Sequence, residues 1–166
     1  METSHKQINK SFDQIISFKI GNEEYGIEIL KVKEVIRFQE ITRLPKTPNF
    51  VKGVINLRGD VIPIIDLREK FGLSQHDYNE LTRVIVVEVD GKSVGMVVDS
   101  VSHVIRIGED QIDSHLLIGG ISGDYVRGVG KLDDRLIVLL DFDRILTTEE
   151  KIELKQINDN QLEGGN

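Results

Sequence analysis

Apolar residues in this chain fall in short runs rich in valine and isoleucine, and Gly, Asn, Asp and Pro separate the runs. Runs of this length and composition are typical of β-strands joined by tight turns. The pattern therefore predicts a protein that is mostly β. In chain order, strands are predicted over residues 15–20, 25–36, 51–57, 61–66, 84–89, 94–107, 125–132 and 135–141.

Turn and cap signals separate the predicted strands. Asp90-Gly91 lies between two apolar runs and favours a type I′ hairpin turn. Asp66 is placed to cap a short helix over residues 67–71, which Gly72 would end. The polar stretch 74–82 then reads as a linker.

A last helix is predicted near the end of the sequence. Thr147 and Glu150 have the spacing of a capping box. We place this helix over residues 149–157, with Leu154 and Ile157 on one apolar face. One face of the helix is therefore expected to cover the open end of a barrel.

The strand pattern occurs twice. Phe50-Val51-Lys52-Gly53-Val54 recurs 75 positions later as Tyr125-Val126-Arg127-Gly128-Val129, whereas earlier blocks recur after 69 positions, as from Gly26 to Gly95. A period this long does not suit a solenoid and fits a duplicated small barrel. Positions that agree between the copies indicate the fold, and positions that disagree are candidates for function.

The duplication suggests how the chain divides. We predict a first β-barrel over residues 13–80, a second over 81–148 and the helix over 149–157, with strand exchange between the barrels left open. Units this small are marginal when separate. We therefore expect them to share a core and to form one domain.

Composition excludes several kinds of partner and site. The net charge of −7 argues against nucleic acid as a partner, because a protein that binds phosphate backbones needs a basic face. Cysteine is absent, which excludes disulfides and thiolate metal sites. The polar start of the chain has no apolar run like that of a signal peptide, and no stretch approaches a membrane span. We therefore expect a cytoplasmic protein with no direct membrane insertion.

Residues that could carry catalysis have simpler explanations. Asp66 and Asp141 could form a carboxylate pair, yet each is placed to cap a short helix. The glycine-rich stretches lack the spacing of phosphate loops and nucleophile elbows. We expect no catalytic residue, no cofactor and no metal, and hence no enzyme. The histidines also lack the spacing of a metal site; they are His5, His76, His103 and His115.

The two copies disagree at a few polar positions. Arg58 stands at a predicted hairpin tip where the second copy has Asp133, and Glu34 stands where the second copy has His103. A barrel does not need arginine at a turn, and arginine is enriched at protein interfaces. Arg58 is therefore a candidate anchor for a protein partner. The alternative is a solvated turn residue paired with Glu34 or Asp60.

Three sequence motifs, taken together, resemble those of one protein family. Tyr25-Gly26-Ile27-Glu28-Ile29, Val32-Lys33-Glu34-Val35-Ile36 and Gly53-Val54-Ile55-Asn56-Leu57-Arg58-Gly59 closely resemble the bacterial chemotaxis coupling (adaptor) proteins of the CheW family. The resemblance covers about residues 15–152. It implies two pseudo-symmetric SH3-like five-stranded β-barrels around a shared core, with a C-terminal helix.

The resemblance also implies partners and a site. An adaptor of this family would bind the cytoplasmic tip of methyl-accepting chemoreceptors and the regulatory domain of the chemotaxis histidine kinase, and would be recruited to membrane-associated receptor arrays. The longer insert at residues 113–123 has no role assigned by the resemblance. Receptor contacts would fall on Arg58, Glu34, Val32, Gly53, Val54 and Leu57, and kinase contacts on the exposed apolar residues Ile27, Ile29 and Leu30.

One alternative from another class stays open. Duplicated folds often place a binding site between their two units. The chain could accordingly be a duplicated β-barrel that binds a small ligand. Thermal shift with soluble metabolites, set beside pull-down with a receptor fragment, separates the two hypotheses.

Overall fold

The computed structural model describes residues 12–74, 77–114 and 125–164. His5, His76, His115 and most of the insert at 113–123 lie outside these ranges. The described residues are mostly β with few short helices, which confirms the predicted fold class. The elements in chain order are β1 (Phe12–Ile20), β2 (Glu23–Glu28), β3 (Val32–Arg37), β4 (Val51–Leu57), β5 (Asp60–Asp66), α1 (Leu67–Lys70), β6 (Arg83–Val89), β7 (Lys92–Val98), β8 (Ser100–Gly108), β9 (Ile112–Asp113), β10 (Val126–Leu132), β11 (Arg135–Leu140), α2 (Phe142–Ile145) and α3 (Thr148–Gly164).

One compact unit, here the first unit, combines the described part of Met1–Lys31 with Val101–Ile145. Its sheet has the strand order β8-β1-β2-β11-β10-β9, in which β2 and β11 run parallel and the other described pairs are antiparallel. The inward faces of these strands carry branched apolar side chains that leave water on folding. Its core cluster consists of Ile15, Ile107, Ile137 and Leu139.

The second unit combines Val32–Ser100 with the described part of Leu146–Asn166. Its sheet has the order β3-β6-β7-β5-β4. No pairing among the described strands joins the two edges of either sheet, so the SH3-like units are open sheets rather than closed barrels. The core cluster of the second unit consists of Ile55, Leu57, Ile62, Ile64, Val84, Val86 and Val97.

Strand register repeats between the units. Gly26 faces Leu139 where β2 and β11 run parallel, and Gly95 faces Ile64 where β7 and β5 run parallel. Both glycines leave room for apolar side chains, since a Cβ on Gly26 would lie 2.7 Å from Ile15 and one on Gly95 2.6 Å from Ile64. The duplication seen in the sequence therefore extends to the pairing of individual residues.

Strands are exchanged between the halves of the sequence. The first unit takes the hairpin β1–β2 from the first half and β8 to β11 from the second, whereas the second unit takes β3 to β5 from the first half and β6–β7 from the second. The predicted ranges 13–80 and 81–148 therefore mark the sequence repeat, and the compact units combine parts of both.

Two runs predicted as single strands, 25–36 and 94–107, are each broken. A 3₁₀ turn over Ile29–Lys31 separates β2 from β3, and Asp99 separates β7 from β8. The reason is topological, because β2 and β3 belong to different sheets, as do β7 and β8. The expectation of continuous strands is wrong at these two points.

The predicted helix caps are present. The Asp66 carboxylate accepts a hydrogen bond from the Arg68 amide at 2.8 Å. The Glu150 carboxylate accepts from the Thr147 amide at 2.8 Å, and the Thr147 hydroxyl accepts from the Glu150 amide at 3.1 Å. α3 continues to Gly164 instead of ending at residue 157, since no Gly or Pro interrupts the sequence before that glycine. No helix in the described ranges is both long and apolar enough to cross a membrane.

Tyr78 packs beside the capped end of α1. Its hydroxyl donates to the Asp66 carboxylate at 3.3 Å, and its ring lies 4.2 Å from the ring of Phe38 between centroids. Burial, reinforced by the negative charge of Asp66, raises the pKa of Tyr78 to about 12. The neutral phenol is therefore the form that the fold favours.

This raised pKa predicts a pH dependence of stability. The folded-state pKa exceeds the ordinary value of about 10, so the contribution of the neutral phenol is present below pH 10 and is lost as the pH rises toward 12. We expect the urea midpoint of the wild type to fall more steeply over this interval than that of Tyr78→Phe. Parallel profiles for the two proteins would contradict the prediction.

Candidate functional site

Arg58 lies at the tip of the β4–β5 hairpin. Arg58 and Gly59 have φ angles of 53° and 92°, the left-handed pair that a two-residue hairpin turn requires. The Asn56 side chain accepts a hydrogen bond from the Gly59 amide at 2.8 Å and braces the turn. Asp133 has the same φ of 53° at the corresponding turn of the first unit, so the two residues are structural equivalents.

The Arg58 side chain is 68% exposed and contacts Glu34 on β3, the strand at the opposite edge of the same sheet. Its guanidinium donates to the Glu34 carboxylate. An ion pair this exposed contributes about 0–1 kcal/mol to folding, so a partner can replace it at little cost. The structure thus joins the two asymmetric residues found in the sequence.

The other predicted receptor residues lie on β3 and β4 at different depths. Val32 is half-buried on β3, whereas Gly53, Val54 and Leu57 are buried. The Val54 amide donates to the Thr42 carbonyl at 2.8 Å, which fixes the outer edge of β4. In this structure the buried residues support the hairpin that presents Arg58.

Leu30 is the most exposed large apolar side chain in the described ranges, at 90%. It lies on the 3₁₀ turn Ile29–Lys31 of the first unit. Glu28 pairs with Arg127 at 2.8 Å just before the turn, and Lys31, the last residue of the turn, pairs with Asp143 at 2.9 Å. The hydrogen bond and charge of Asp143 raise the pKa of Lys31. Two ion pairs thus flank Leu30.

The predicted exposure of Ile27 is wrong. Ile27 is 1% exposed, because it lies within β2 opposite Ile16 and points into packed side chains. Ile29 is half-buried at the start of the 3₁₀ turn. Of the three apolar residues assigned to the kinase, only Leu30 is fully exposed.

The two copies of the sequence also differ at Leu30. The repeat aligns Leu30 with Asp99, and Arg68 aligns with Asp143. In the second unit the Arg68 guanidinium binds the Asp99 carboxylate at 2.8 and 3.2 Å. An exposed leucine therefore replaces an ion-paired aspartate, which marks this turn as asymmetric in the same way as Arg58.

The two aspartates considered as a carboxylate pair have structural partners. No three His, Asp or Glu side chains within them are grouped to hold a metal ion. Asp66 and Asp141 accept hydrogen bonds from the amides of Arg68 and Asp143, as helix caps do. Surface clefts of about 310 to 570 Å³ lie in the second unit, and Arg58 lines none of these. Fold and site together define a duplicated β-sheet protein whose candidate contacts are exposed turns.

The chain belongs to the CheW family of chemotaxis proteins. The family described as CheW-like domain matches residues 14–150. The chain is 43% identical to Chemotaxis protein CheW of Klebsiella aerogenes over 138 residues, which is 82% of this chain and 83% of the relative. It is 40% identical to Chemotaxis protein CheW of Helicobacter pylori over 143 residues, covering 86% and 87% of the two chains.

A solved structure has the same fold. The crystal structure of scaffolding protein TtCheW from Thermoanaerobacter tengcongensis matches with a TM-score of 0.72 and 38% sequence identity. The match covers 77% of this chain and 88% of the other. The family resemblance read from the sequence is thereby confirmed.

Proposed function

We propose that this chain is a non-enzymatic adaptor that couples transmembrane chemoreceptors to the chemotaxis histidine kinase. Family membership and the description of the TtCheW relative as a scaffolding protein support the proposal. The observation that carries it is that each unit presents an exposed side chain, Leu30 in the first and Arg58 in the second, at a position where the other copy has a residue of different chemistry. Such an adaptor acts in the cytoplasm and joins receptor arrays through its partners.

The receptor surface is proposed at Arg58, Glu34 and Val32. The planar fork of an arginine suits carboxylates and carbonyl oxygens on the receptor's helical hairpin. The braced turn holds the Arg58 backbone in place, so ordering costs fall mainly on the side chain. Gly53, Val54 and Leu57 serve this surface by holding β4 in position.

The kinase surface is proposed at the turn that carries Leu30 and the half-buried Ile29. An apolar side chain already exposed gains the full benefit of burial when a partner covers it, about 2 kcal/mol for a leucine. The ion pairs of Glu28 and Lys31 flank Leu30 and, because they are partly exposed, restrain the turn only weakly. Ile27 is excluded from this surface by its burial.

Replacing Leu30 tests the kinase surface. We expect Leu30→Glu to weaken binding to the kinase regulatory domain at least tenfold, because it loses apolar burial and brings a charge into the contact. Stability should hardly change, since the side chain is 90% exposed. Isothermal titration against the kinase domain and a receptor fragment measures both affinities; unchanged kinase affinity would contradict the assignment.

The absence of catalysis is also testable. We expect the purified chain neither to hydrolyse ATP nor to accept phosphate from the phosphorylated kinase, since the described residues hold no metal-binding cluster and Asp66 and Asp141 act as helix caps. Appearance of labelled phosphate on the chain would contradict this. A thermal shift by a soluble metabolite, without retention on a receptor fragment, would instead favour a small-ligand-binding protein.

A further inference from the structure

Two arginines face each other at one end of the second unit's sheet. Arg37 ends β3, Arg83 begins β6, and their Cα atoms are direct partners in the antiparallel pair. Direct partners project their side chains from the same face of a sheet, and like charges in this arrangement destabilise it. The position is unusual in a chain whose net charge is −7. This end of the sheet is therefore suited to an anionic group.

The two guanidinium groups differ in how they are held. Arg83 donates to the carbonyl oxygens of Glu80 and Thr82 at 2.7 and 2.9 Å, which orients it without neutralising its charge. Arg37 is exposed and forms no ion pair with a described residue. One positive group is preorganised by the backbone, and the second is available to close on a ligand.

An apolar contact lies beside the arginine pair. Leu81 is 63% exposed on a loop where the Asn79 side chain accepts from the Leu81 amide at 2.7 Å, and Thr82 accepts from the Asn79 amide at 2.9 Å. A cleft of about 570 Å³ is lined by Leu81, both arginines and half-buried Phe38, with Glu80 as an acid at its rim. The cleft can accommodate several residues of an extended peptide.

We propose that the surface formed by Arg37, Leu81 and Arg83, the arginine cleft, binds an acidic segment of a partner protein. A carboxylate lies between the two guanidinium groups, and a neighbouring apolar side chain packs on Leu81. Charge complementarity selects the acidic class. The exposed leucine favours a peptide over a free inorganic anion, which would leave Leu81 uncovered.

The duplication offers a matched control for this surface. The repeat places Arg106 at the position of Arg37, but it places Gln14 at the position of Arg83. Only the second unit therefore has the arginine pair at this position. Arg106→Glu changes the same charge on the corresponding strand outside the arginine cleft.

The test uses a labelled seven-residue peptide of alternating Glu and Leu, with Gln for Glu in a second peptide, and fluorescence anisotropy on the full chain. We expect the acidic peptide to bind and the Gln peptide to bind at least tenfold more weakly. Arg37→Glu and Arg83→Gln should each lower the affinity for the acidic peptide roughly tenfold. Arg106→Glu should stay within about twofold. Leu81→Ala should also lower the affinity for the acidic peptide, and inorganic phosphate at millimolar concentration should not displace the peptide.

Three outcomes would overturn the proposal. The first is equal binding of the two peptides, and the second is an equal loss of peptide affinity in Arg37→Glu and Arg106→Glu. The third is full displacement of the peptide by phosphate with no effect of Leu81→Ala, which would indicate a site for an inorganic anion. Melting curves verify that each variant is folded. Arg37→Gln should not lower the melting temperature, because it relieves the facing charges, and a clear drop would show that Arg37 serves the fold.

Discussion

Replacement of Gly53 by alanine is expected to cost about 3 to 5 kcal/mol of stability, through backbone strain and overpacking together. Gly53 has a φ of +147°, and a Cβ there would lie 2.1 Å from the Thr42 carbonyl oxygen and 2.7 Å from Ile41. That oxygen accepts the hydrogen bond of the Val54 amide at 2.8 Å. The alanine therefore both strains β4 and displaces the backbone that pairs with it.

Gly128 provides the control, because it occupies the same place in the repeat. A Cβ on Gly128 would lie 2.9 Å from the Ile112 side chain and 3.0 Å from the Asp113 carbonyl oxygen, contacts that small shifts can relieve. We expect Gly128→Ala to cost about 1 to 2 kcal/mol. Urea unfolding measures the loss of stability in each variant, and the melting temperature of Gly53→Ala should fall by roughly 10 °C. Equal effects of the two substitutions would contradict the account of Gly53.

Reversal of the charge at Arg58 is expected to weaken receptor binding at least roughly 30-fold. Losing an arginine at the centre of an interface costs about 2 kcal/mol or more, and the new carboxylate adds repulsion. In Arg58→Asp the new carboxylate also faces Glu34, which removes the ion pair of the free protein. The melting temperature should hardly move, since the native side chain is 68% exposed.

Asp133→Arg is the matched control for this prediction, because Asp133 has the same backbone conformation at the equivalent turn. Both variants should be titrated against a receptor fragment and the kinase regulatory domain. We expect Arg58→Asp to lose receptor affinity alone and Asp133→Arg to change neither affinity more than about twofold. An equal loss of affinity for receptor and kinase in Arg58→Asp would show that the receptor surface lies elsewhere.

Much of the fold was accessible from the sequence because the duplication acts as an alignment of the chain with itself. It aligned Gly26 with Gly95 and Gly53 with Gly128, and these pairs have corresponding partners in the two sheets. Turn signals were equally direct, as at Asp90-Gly91, where φ angles of 49° and 82° form the predicted hairpin turn.

The sequence could not show which of two equivalent strand pairings the chain adopts. A repeat shows which segments are alike, but not whether β2 pairs with β5 of its own copy or with β11 of the other, so the strand exchange stayed open. The prediction for Ile27 was wrong for a related reason, because the sequence does not show which of the alternating side chains of a strand face the core. The turn after Glu28 ends β2 and leaves Leu30, not Ile27, exposed.

We propose that one chain joins receptor and kinase through two different surfaces. The most direct measurement is retention of the kinase regulatory domain on an immobilised receptor fragment, with the chain added as wild type, Leu30→Glu or Arg58→Asp. We predict that the wild type retains kinase in proportion to its own binding, that Leu30→Glu binds the receptor without retaining kinase, and that Arg58→Asp does neither. Retention of kinase by Leu30→Glu at the wild-type level, or no retention with bound wild type, would contradict the claim.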